Sequence, residues 1–340
     1  MNRRALLMAV AGMAGCSRTR SARLNVFNWS DYVAPETVPD FEREFGVAVR
    51  YATYESDEEM LAKVFSGNSG WDVVFPSNSF VGPMRDLRLL APLRHDLLPN
   101  LHNLDTRFQA PPWDPQLEWC VPYMHGSTGI VYQKHFDIQP QAWQDLWSSR
   151  YRGRLTMLDD PAEVLGACLK KLGYSINSTD PRELDQAKRE AIRQKPLVRA
   201  YLNAEVRDQL VAGDVLVAQL WATSAQQAID VAPGLAFVYP AEGFPLYADT
   251  AVILRESRRR DLAHRFIDYL LRPKVAARIA SYTKTATANG AAQRLLAPAM
   301  RDNPTLYPPA AVLARGEWFR PLSAAAHRLR DRLWTEIKAS

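Results

Sequence analysis

The 340-residue sequence lacks the motifs that mark most catalytic α/β proteins. No glycine-rich dinucleotide fingerprint follows its first predicted strand, and it contains no P-loop. Residues 67–70 (GNSG) are not a nucleophile elbow, because their spacing differs and they precede a predicted strand. The histidines, which show no metal-ligand spacing, are His95, His102, His125, His135, His264 and His327. These absences favour a binding protein over an enzyme, and we expect neither a cofactor nor a metal.

The sequence also has little excess charge of either sign. Its 42 lysines and arginines face 37 aspartates and glutamates, a net charge of +5. The excess falls to about +3 without Arg3 and Arg4, which lie in a predicted export signal. Because the two signs are interspersed, we expect no nucleic-acid partner. The weak net charge gives no long-range field, so any attraction for a cationic ligand must be local.

The N-terminus has the pattern of an export signal ahead of a lipidated cysteine. Arg3 and Arg4 precede an apolar run over residues 5–14, which is too short to span a bilayer as a helix. Cys16 follows small residues as in a bacterial lipobox. We therefore predict a signal peptide over residues 1–15, lipidation of Cys16 and a tether over residues 16–22. The alternatives are an ordinary secretory signal with an incidental cysteine and a twin-arginine signal.

The remaining cysteines are Cys120 and Cys168. An oxidising compartment would permit a disulfide between them. Two buried free thiols are the outcome that we expect.

Strands and helices alternate along the chain after the tether. A βαβαβ order opens the sequence, and a second series begins near Ile130. This order predicts an α/β fold of two lobes, each with a mixed, mostly parallel sheet flanked by helices. The predicted strands cover residues 24–27, 47–53, 71–75, 215–220, 235–239 and 250–254. The predicted helices cover residues 35–45, 56–65, 81–90, 161–172, 224–230, 261–281 with a kink at Pro273, and 322–338, and one more opens at Asp180.

Ligands of open α/β sheets bind beyond the carboxyl ends of the strands. The residues at three such positions are therefore candidates for a binding cleft. Trp29 and Ser30 follow the first predicted strand, Ser77 and Asn78 follow the third, and Trp221 follows the strand over residues 215–220.

Six segments carry a resemblance to a known family: VFNWSDYV at residues 26–33, YATYESDEE at 51–59, WDVVFPS at 71–77, LDDPAEV at 158–164, KLGYSINSTDP at 171–181 and RGEW at 315–318. In this order they resemble the bacterial periplasmic spermidine/putrescine-binding proteins, the substrate-capturing components of ABC-type polyamine importers. The resemblance implies a type II two-lobed periplasmic binding protein that closes over its ligand. It places lobe 1 at residues 23–127 and 248–294, lobe 2 at residues 128–247 and 295–340, and hinges near 126–130 and 245–249.

The resemblance also implies a ligand-binding site. The matching positions in this sequence are Trp29, Ser30, Asp31, Tyr32, Ser77, Asp160, Glu163, Trp221, Tyr247 and Asp249. The sequence departs from the family pattern at Ser79 and Thr285, where the spermidine binders have tyrosine, and at Phe319, where they have glutamine. These departures leave open which amine is preferred.

The residue types in this set suit a polyamine, a flexible apolar chain that carries ammonium groups. Each buried ammonium needs a carboxylate or several acceptors, because an unpaired buried charge costs several kcal/mol. Aromatic rings pack the methylene groups and attract an ammonium by ~0.5–2 kcal/mol. Structural alternatives exist: Asp160 and Glu163 fit a reciprocal helix cap, Trp29 and Trp221 fit core positions, and Asp249 fits a solvated turn.

We therefore predict an exported, monomeric solute-binding protein that captures a polyamine of the putrescine/spermidine class and delivers it to the permease of an ABC importer. Lipid would be its only membrane attachment. One alternative keeps the fold and changes the ligand to a shorter diamine, an amino-guanidine or a quaternary amine. Another is a chemosensory or regulatory amine-binding protein without a transport role. An exported hydrolase is disfavoured, because the sequence shows no nucleophile–base pair or metal set.

Overall fold

A computed structural model describes residues 22–137 and 139–340. The predicted signal peptide, the lipidation site at Cys16 and all but the last residue of the predicted tether lie outside the described residues. The β-strands in the described chain are β1 Arg23–Trp29, β2 Ala48–Tyr54, β3 Val73–Val74, β4 Val121–Gln133, β5 Leu155–Met157, β6 Val198–Tyr201, β7 Val217–Trp221, β8 Leu235–Val238, β9 Phe244–Ile253, β10 Ala286–Thr287 and β11 Gly316–Trp318.

The helices begin and end close to the signals in the sequence. They are α1 Thr37–Phe45, α2 Asp57–Val64, α3 Asn78–Asp86, α4 Pro161–Lys171, α5 Pro181–Gln194, α6 Val206–Ala212, α7 Ala222–Val231, α8 Arg260–Leu270, α9 Pro273–Thr283, α10 Gly290–Gln293, α11 Pro298–Arg301, α12 Ala310–Leu313 and α13 Ala324–Ala339. Ser56 caps α2 by accepting the Glu59 N–H at 3.1 Å. Gly46 ends α1 at a φ of 65°, a left-handed conformation that glycine adopts without strain.

Four predicted elements differ most from the structure. The strand predicted over residues 71–75 is reduced to Val73–Val74. The strand predicted over residues 250–254 is only the end of the much longer β9. The helix predicted over residues 81–90 lies at Asn78–Asp86 instead, with Ser77 at the N-cap position. The helix predicted over residues 261–281 is two helices, since Pro273 occupies the first turn of α9, where its missing N–H costs no hydrogen bond.

Two long strands connect the two halves of the molecule. The strands follow the order β2-β1-β3-β9-β4-β7-β5-β6, so β9 and β4 lie at the centre. They run antiparallel, with Val121 opposite Ala251 and Ser127 opposite Leu246. Every antiparallel pair of strands in the described chain includes β4 or β9, whereas β1 pairs in parallel with β2 and β3, and β5 with β6 and β7.

Each half has its own hydrophobic core. One large cluster draws its buried residues from the segments 24–124 and 248–288. A second cluster contains buried residues from the segments 130–246 and 333–337. A third contains buried residues from the segment 131–235. A fourth cluster joins Ala276 and Ala280 on α9 to Met300 and Leu306. The chain thus passes between the first core and the others along β4, along β9 and again after Ala288. The lobe boundaries given above remain a prediction.

The two remaining cysteines are buried and unpaired, as expected. Burial raises the pKa of both thiols well above the usual value, so neither is a reactive thiolate at neutral pH. No helix of residues 22–137 and 139–340 has the length and apolar composition needed to cross a bilayer.

Candidate functional site

The aromatic residues at the end of β1 and in the loop after it contact the residue after β3 and the central strands β4 and β9. The Trp29 indole N–H donates to the Phe75 carbonyl at 2.8 Å, which fixes the orientation of the half-buried ring. Its ring centroid lies 4.7 Å from that of Tyr54 and 6.5 Å from that of Tyr32. The Tyr123 hydroxyl holds this loop from beneath by donating to the Tyr32 carbonyl at 2.6 Å. The loop is therefore anchored at both aromatic residues.

Ser30 and Asp31 shape the turn between the two aromatic residues. The Ser30 hydroxyl donates to the carboxylate of Glu55. Asp31 is exposed and has a φ of 56°, a left-handed conformation in which aspartate is one of the tolerated residues. The structure gives both residues a role in the loop, and their contact with a ligand remains a prediction.

Asp249 is a buried carboxylate without a cationic partner. It is 3% exposed and accepts a hydrogen bond of 2.8 Å from the Tyr32 hydroxyl at one oxygen. No lysine, arginine or histidine of the described residues forms an ion pair with it. Burial raises the pKa of Asp249 to about 7. The hydrogen bond from Tyr32 lowers the pKa but offsets only part of this rise. The solvated turn that the sequence alone allowed is wrong for this position.

Glu163 is a second buried carboxylate of this kind. It is 3% exposed, and its Oε1 accepts from Thr128 Oγ1 at 2.7 Å and from the Trp221 indole N–H at 3.1 Å. Its Oε2 is buried without a hydrogen-bond partner. Burial and the nearby charge of Asp160 raise its pKa to about 8. A buried carboxylate oxygen left unsatisfied is costly, so a missing donor is implied here.

Asp160 caps helix α4, as its position in the sequence allowed. One carboxylate oxygen accepts the N–H groups of Ala162 at 2.7 Å and Glu163 at 3.0 Å. The reciprocal half of the predicted capping box is absent, because the Glu163 side chain turns inward to Thr128 instead of back to the cap. Burial raises the pKa of Asp160, and its bonds to the two backbone N–H groups oppose this rise.

Ser77 is tied to a carboxylate whose role the sequence did not reveal. It donates its hydroxyl and its backbone N–H, the latter at 3.0 Å, to Asp57 in the first turn of α2. Asp57 is buried, and burial followed by the charge of Asp249 raises its pKa. In the sequence Asp57 lies inside a capping motif that is typical of an exposed helix start, and no local signal shows its burial.

Asn78, a cleft candidate in the sequence because it follows the third strand, has a structural role in the protein. Its side chain is buried, accepts from the Ala248 N–H at 3.0 Å and donates to the Phe319 carbonyl at 2.7 Å. It therefore joins α3 to β9 and to the segment after β11. Thr285 is buried, and its hydroxyl group donates a hydrogen bond to the Thr283 carbonyl at 3.4 Å.

Tyr247 lies on β9, two residues before Asp249. It faces Gly126 across the β4–β9 pair, and a Cβ added at Gly126 would lie 2.5 Å from Tyr247 Cζ. The ring thus rests directly on the β4 backbone, an approach that only glycine permits. Burial, then the charges of Asp249 and Glu163, raise the Tyr247 pKa, so its hydroxyl stays protonated.

Replacing Gly126 with alanine is expected to displace the Tyr247 ring. Overpacking of this kind costs ~1–3 kcal/mol of stability. Because the ring would move within the cleft, we also expect ligand affinity to fall about tenfold, measured by calorimetry. Gly166→Ala is the matched control, since its added Cβ meets nothing closer than 3.6 Å and lies in helix α4, where alanine is favoured. Equal stability and affinity for both variants would contradict this role of Gly126.

A separate cavity of about 740 Å³ lies on the outside of the first core, between α1 and α9. Its acidic residues are already paired, Glu44 with Arg272 at 2.8 Å and Asp40 with Arg278 at 2.7 Å. It contains none of the residues described above. Since it offers no unpaired buried charge, we assign the ligand site to the central strands instead. Among the described residues no group of three or more His, Cys, Asp or Glu side chains is arranged to hold a metal.

Comparison with known proteins agrees with this geometry. Residues 36–308 match the family of bacterial extracellular solute-binding proteins. The spermidine/putrescine-binding periplasmic protein of Salmonella typhimurium is 34% identical over 332 residues, which cover 96% of this chain and 95% of that protein. The putrescine/cadaverine-binding protein of Pseudomonas aeruginosa is 33% identical, with 98% of each chain covered.

Solved structures show the same two-lobed architecture. A Listeria monocytogenes protein named for spermidine/putrescine ABC transport superposes with a TM-score of 0.90 at 31% identity, covering 94% of this chain and 99% of that one. The TpPotD lipoprotein of Treponema pallidum superposes with a TM-score of 0.84 at 28% identity, covering 93% and 99%. The predicted fold class and family are thereby confirmed: the chain belongs to the bacterial extracellular solute-binding proteins and is a relative of the spermidine/putrescine-binding periplasmic proteins.

Proposed function

We propose that the protein captures a polyamine in the cleft beside β4 and β9. The observation that carries this proposal is the pair of buried carboxylates, Asp249 and Glu163, which lack a cationic partner in the described chain. Ionising two such carboxyl groups without partners is expensive, as their raised pKa values reflect, and a ligand that carries two ammonium groups offsets this cost. The names of the relatives, which include spermidine, putrescine and cadaverine, support the same ligand class.

In this proposal each group of site residues contacts a different part of the ligand. Asp249 and Glu163 each accept from one ammonium group. The rings of Trp29, Trp221 and Tyr247 pack the methylene chain and attract the ammonium groups through their faces. Tyr32 and Thr128 hold the two carboxylates in place by hydrogen bonds of 2.8 and 2.7 Å, so the acceptors are oriented before the ligand arrives.

Delivery to a membrane transporter completes the proposed function. The relatives are periplasmic binding proteins, and the Treponema relative is a lipoprotein, which supports an extracytoplasmic location and the predicted lipid on Cys16. The protein would act as a monomer and present its closed form to an ABC permease. Closure would occur by bending of β4 and β9 near residues 126–130 and 245–249, the segments that connect the two cores.

A panel of amines tests this function. Thermal unfolding of the ligand-stripped protein should shift upward with 1 mM putrescine, cadaverine or spermidine, since a ligand at about 1,000 times its Kd stabilises by ~4 kcal/mol. Butane-1,4-diol carries no ammonium group and γ-aminobutyrate carries only one. Both should leave the melting temperature unchanged and serve as controls. An upward shift with these controls, or none with the amines, would contradict the proposal.

A further inference from the structure

A third buried carboxylate without a cationic partner adjoins the site. Asp57, at the start of α2, is 7% exposed and forms no ion pair with the described residues. Its two oxygens accept from a single residue: Oδ1 from the Ser77 backbone N–H at 3.0 Å, and Oδ2 from the Ser77 hydroxyl. Burial raises the pKa of Asp57, the two hydrogen bonds from Ser77 lower it, and the charge of Asp249 raises it. Asp57 is therefore joined to the site through Ser77, a predicted ligand-binding residue.

Ser77 lies directly opposite Asp249 of strand β9 in an antiparallel bridge. The Thr250 N–H donates to the Pro76 carbonyl at 2.9 Å, which makes Ser77 and Asp249 a non-hydrogen-bonded pair. In such a pair the two side chains lie on the same face, with their Cβ atoms ~4.5–5.5 Å apart. The Ser77 hydroxyl and the Asp249 carboxylate are therefore neighbours.

Both side chains have hydrogen-bond acceptors that the described protein does not use. A serine hydroxyl has one hydrogen to donate and two lone pairs that accept. Ser77 donates its hydrogen to Asp57 and accepts no hydrogen bond from the described residues. Asp249 accepts from Tyr32 through Oδ2, and its Oδ1 accepts from none of the same residues. Because Asp57 engages the hydroxyl hydrogen, Ser77 can offer a ligand only its lone pairs.

We infer that Asp57 is a positioning residue, which makes the Ser77 hydroxyl a second acceptor beside Asp249, so that the two side chains together bind one primary ammonium group. The inference rests on the proposed polyamine function and adds a residue to its site. A primary ammonium group has three N–H donors and no acceptor, so it matches a pair of acceptors. The negative charge of Asp57 also strengthens Ser77 as an acceptor, because hydrogen bonds in a chain polarise one another.

Asp57→Asn tests this role. An asparagine side chain has one oxygen, so it can accept only one of the two Ser77 hydrogens. Because the backbone N–H cannot rotate, the oxygen stays with it, and the N–H₂ group donates to the Ser77 hydroxyl, whose own hydrogen is displaced toward the ligand. Calorimetry at pH 7.5 should show putrescine affinity falling about 10- to 100-fold, since a hydrogen bond to a charged group is lost. Glu59→Gln removes the same charge from an exposed position in the same helical turn and should leave the affinity unchanged.

A double-mutant cycle separates positioning from a general loss of charge or structure. In the Ser77→Ala background, Asp57→Asn should change putrescine affinity by less than about threefold, because the hydroxyl through which Asp57 acts is gone. An equal loss in both backgrounds, or no loss from Asp57→Asn alone, overturns the inference and leaves the polyamine function standing. Binding of no amine by the wild type overturns the function itself.

Should Asp57→Asn fail to fold, N,N,N′,N′-tetramethylputrescine provides the second test. Each of its protonated nitrogen atoms keeps one N–H, so neither can donate to Ser77 and Asp249 together. The wild type should prefer putrescine over this ligand about tenfold more strongly than Ser77→Ala does. The bulk of the methyl groups affects both proteins alike, and an equal preference in both overturns the inference.

Discussion

Asp249→Asn is expected to reduce putrescine affinity by about 100- to 1,000-fold. The substitution keeps the shape of the side chain and an oxygen for the Tyr32 hydroxyl, which now donates to Asp249 at 2.8 Å. It removes the buried negative charge that we assign to one ammonium group. Truncating one partner of a buried charge pair costs ~2–5 kcal/mol, and the expected loss corresponds to ~2.7–4.1 kcal/mol within that range. Isothermal titration at pH 7.5 measures it directly.

The stability of the ligand-free variant separates loss of binding from misfolding. The Asp249 pKa is raised to about 7 in the folded protein, from an ordinary value near 4 in the unfolded chain. A raised folded pKa gives stability that is fully present below pH ~4 and is lost as the pH rises through ~7. Asparagine does not ionise, so the variant avoids the cost of a buried negative charge at high pH. At pH 8 the ligand-free variant should therefore be ~1–3 kcal/mol more stable than the wild type. A destabilised variant that binds poorly would not support the assignment.

Acidification is expected to weaken putrescine binding by at least about 100-fold between pH 7.5 and pH 5.5. The folded pKa values of Asp249 and Glu163 are raised to about 7 and about 8, so both groups are largely protonated at pH 5.5 in the ligand-free protein. A protonated carboxyl group does not pair with an ammonium group. Each must release its proton on binding, which lowers the affinity as the pH falls through this range.

Proton release gives this prediction an independent readout. Calorimetric titrations at pH 6.5 in buffers with different ionisation enthalpies should show between one and two protons released per putrescine bound. Asp249→Asn should remove one of them, whereas Asp31→Asn, at an exposed position of the first loop, should not alter the number. An affinity that is flat between pH 5.5 and 7.5 would mean that the two carboxylates are ionised before the ligand arrives.

Local signals in the sequence predicted most helices because those signals act over a few residues. Ser56, Asp160 and Asp180 accept N–H groups at the starts of their helices, and Gly46 ends α1. The two central strands were harder to predict. The 13 residues of β4 are all buried and show no alternation, and Gly126 within them reads as a break. Their extent depends on packing on both sides, which a local pattern does not encode.

Some residues of the site could be predicted from the sequence and others could not. The family resemblance placed Asp249 and Glu163 among the ligand-binding positions, and the structure shows both as buried and unpaired. The roles of Asp57 and Asn78 depend on partners that are 20 residues away at Ser77 and about 170 residues away at Ala248. Such contacts follow from the fold and leave no mark in the local sequence.

The most direct test compares putrescine with N-acetylputrescine, which has lost one ammonium group, in the wild type and in Asp249→Asn. If each buried carboxylate holds one ammonium group, the wild type should prefer putrescine by about 100-fold, and the variant should reduce this preference below about tenfold. The effect of the acetyl group's bulk cancels between the two proteins. An equal preference in both would show that Asp249 does not hold an ammonium group and would contradict the proposed site.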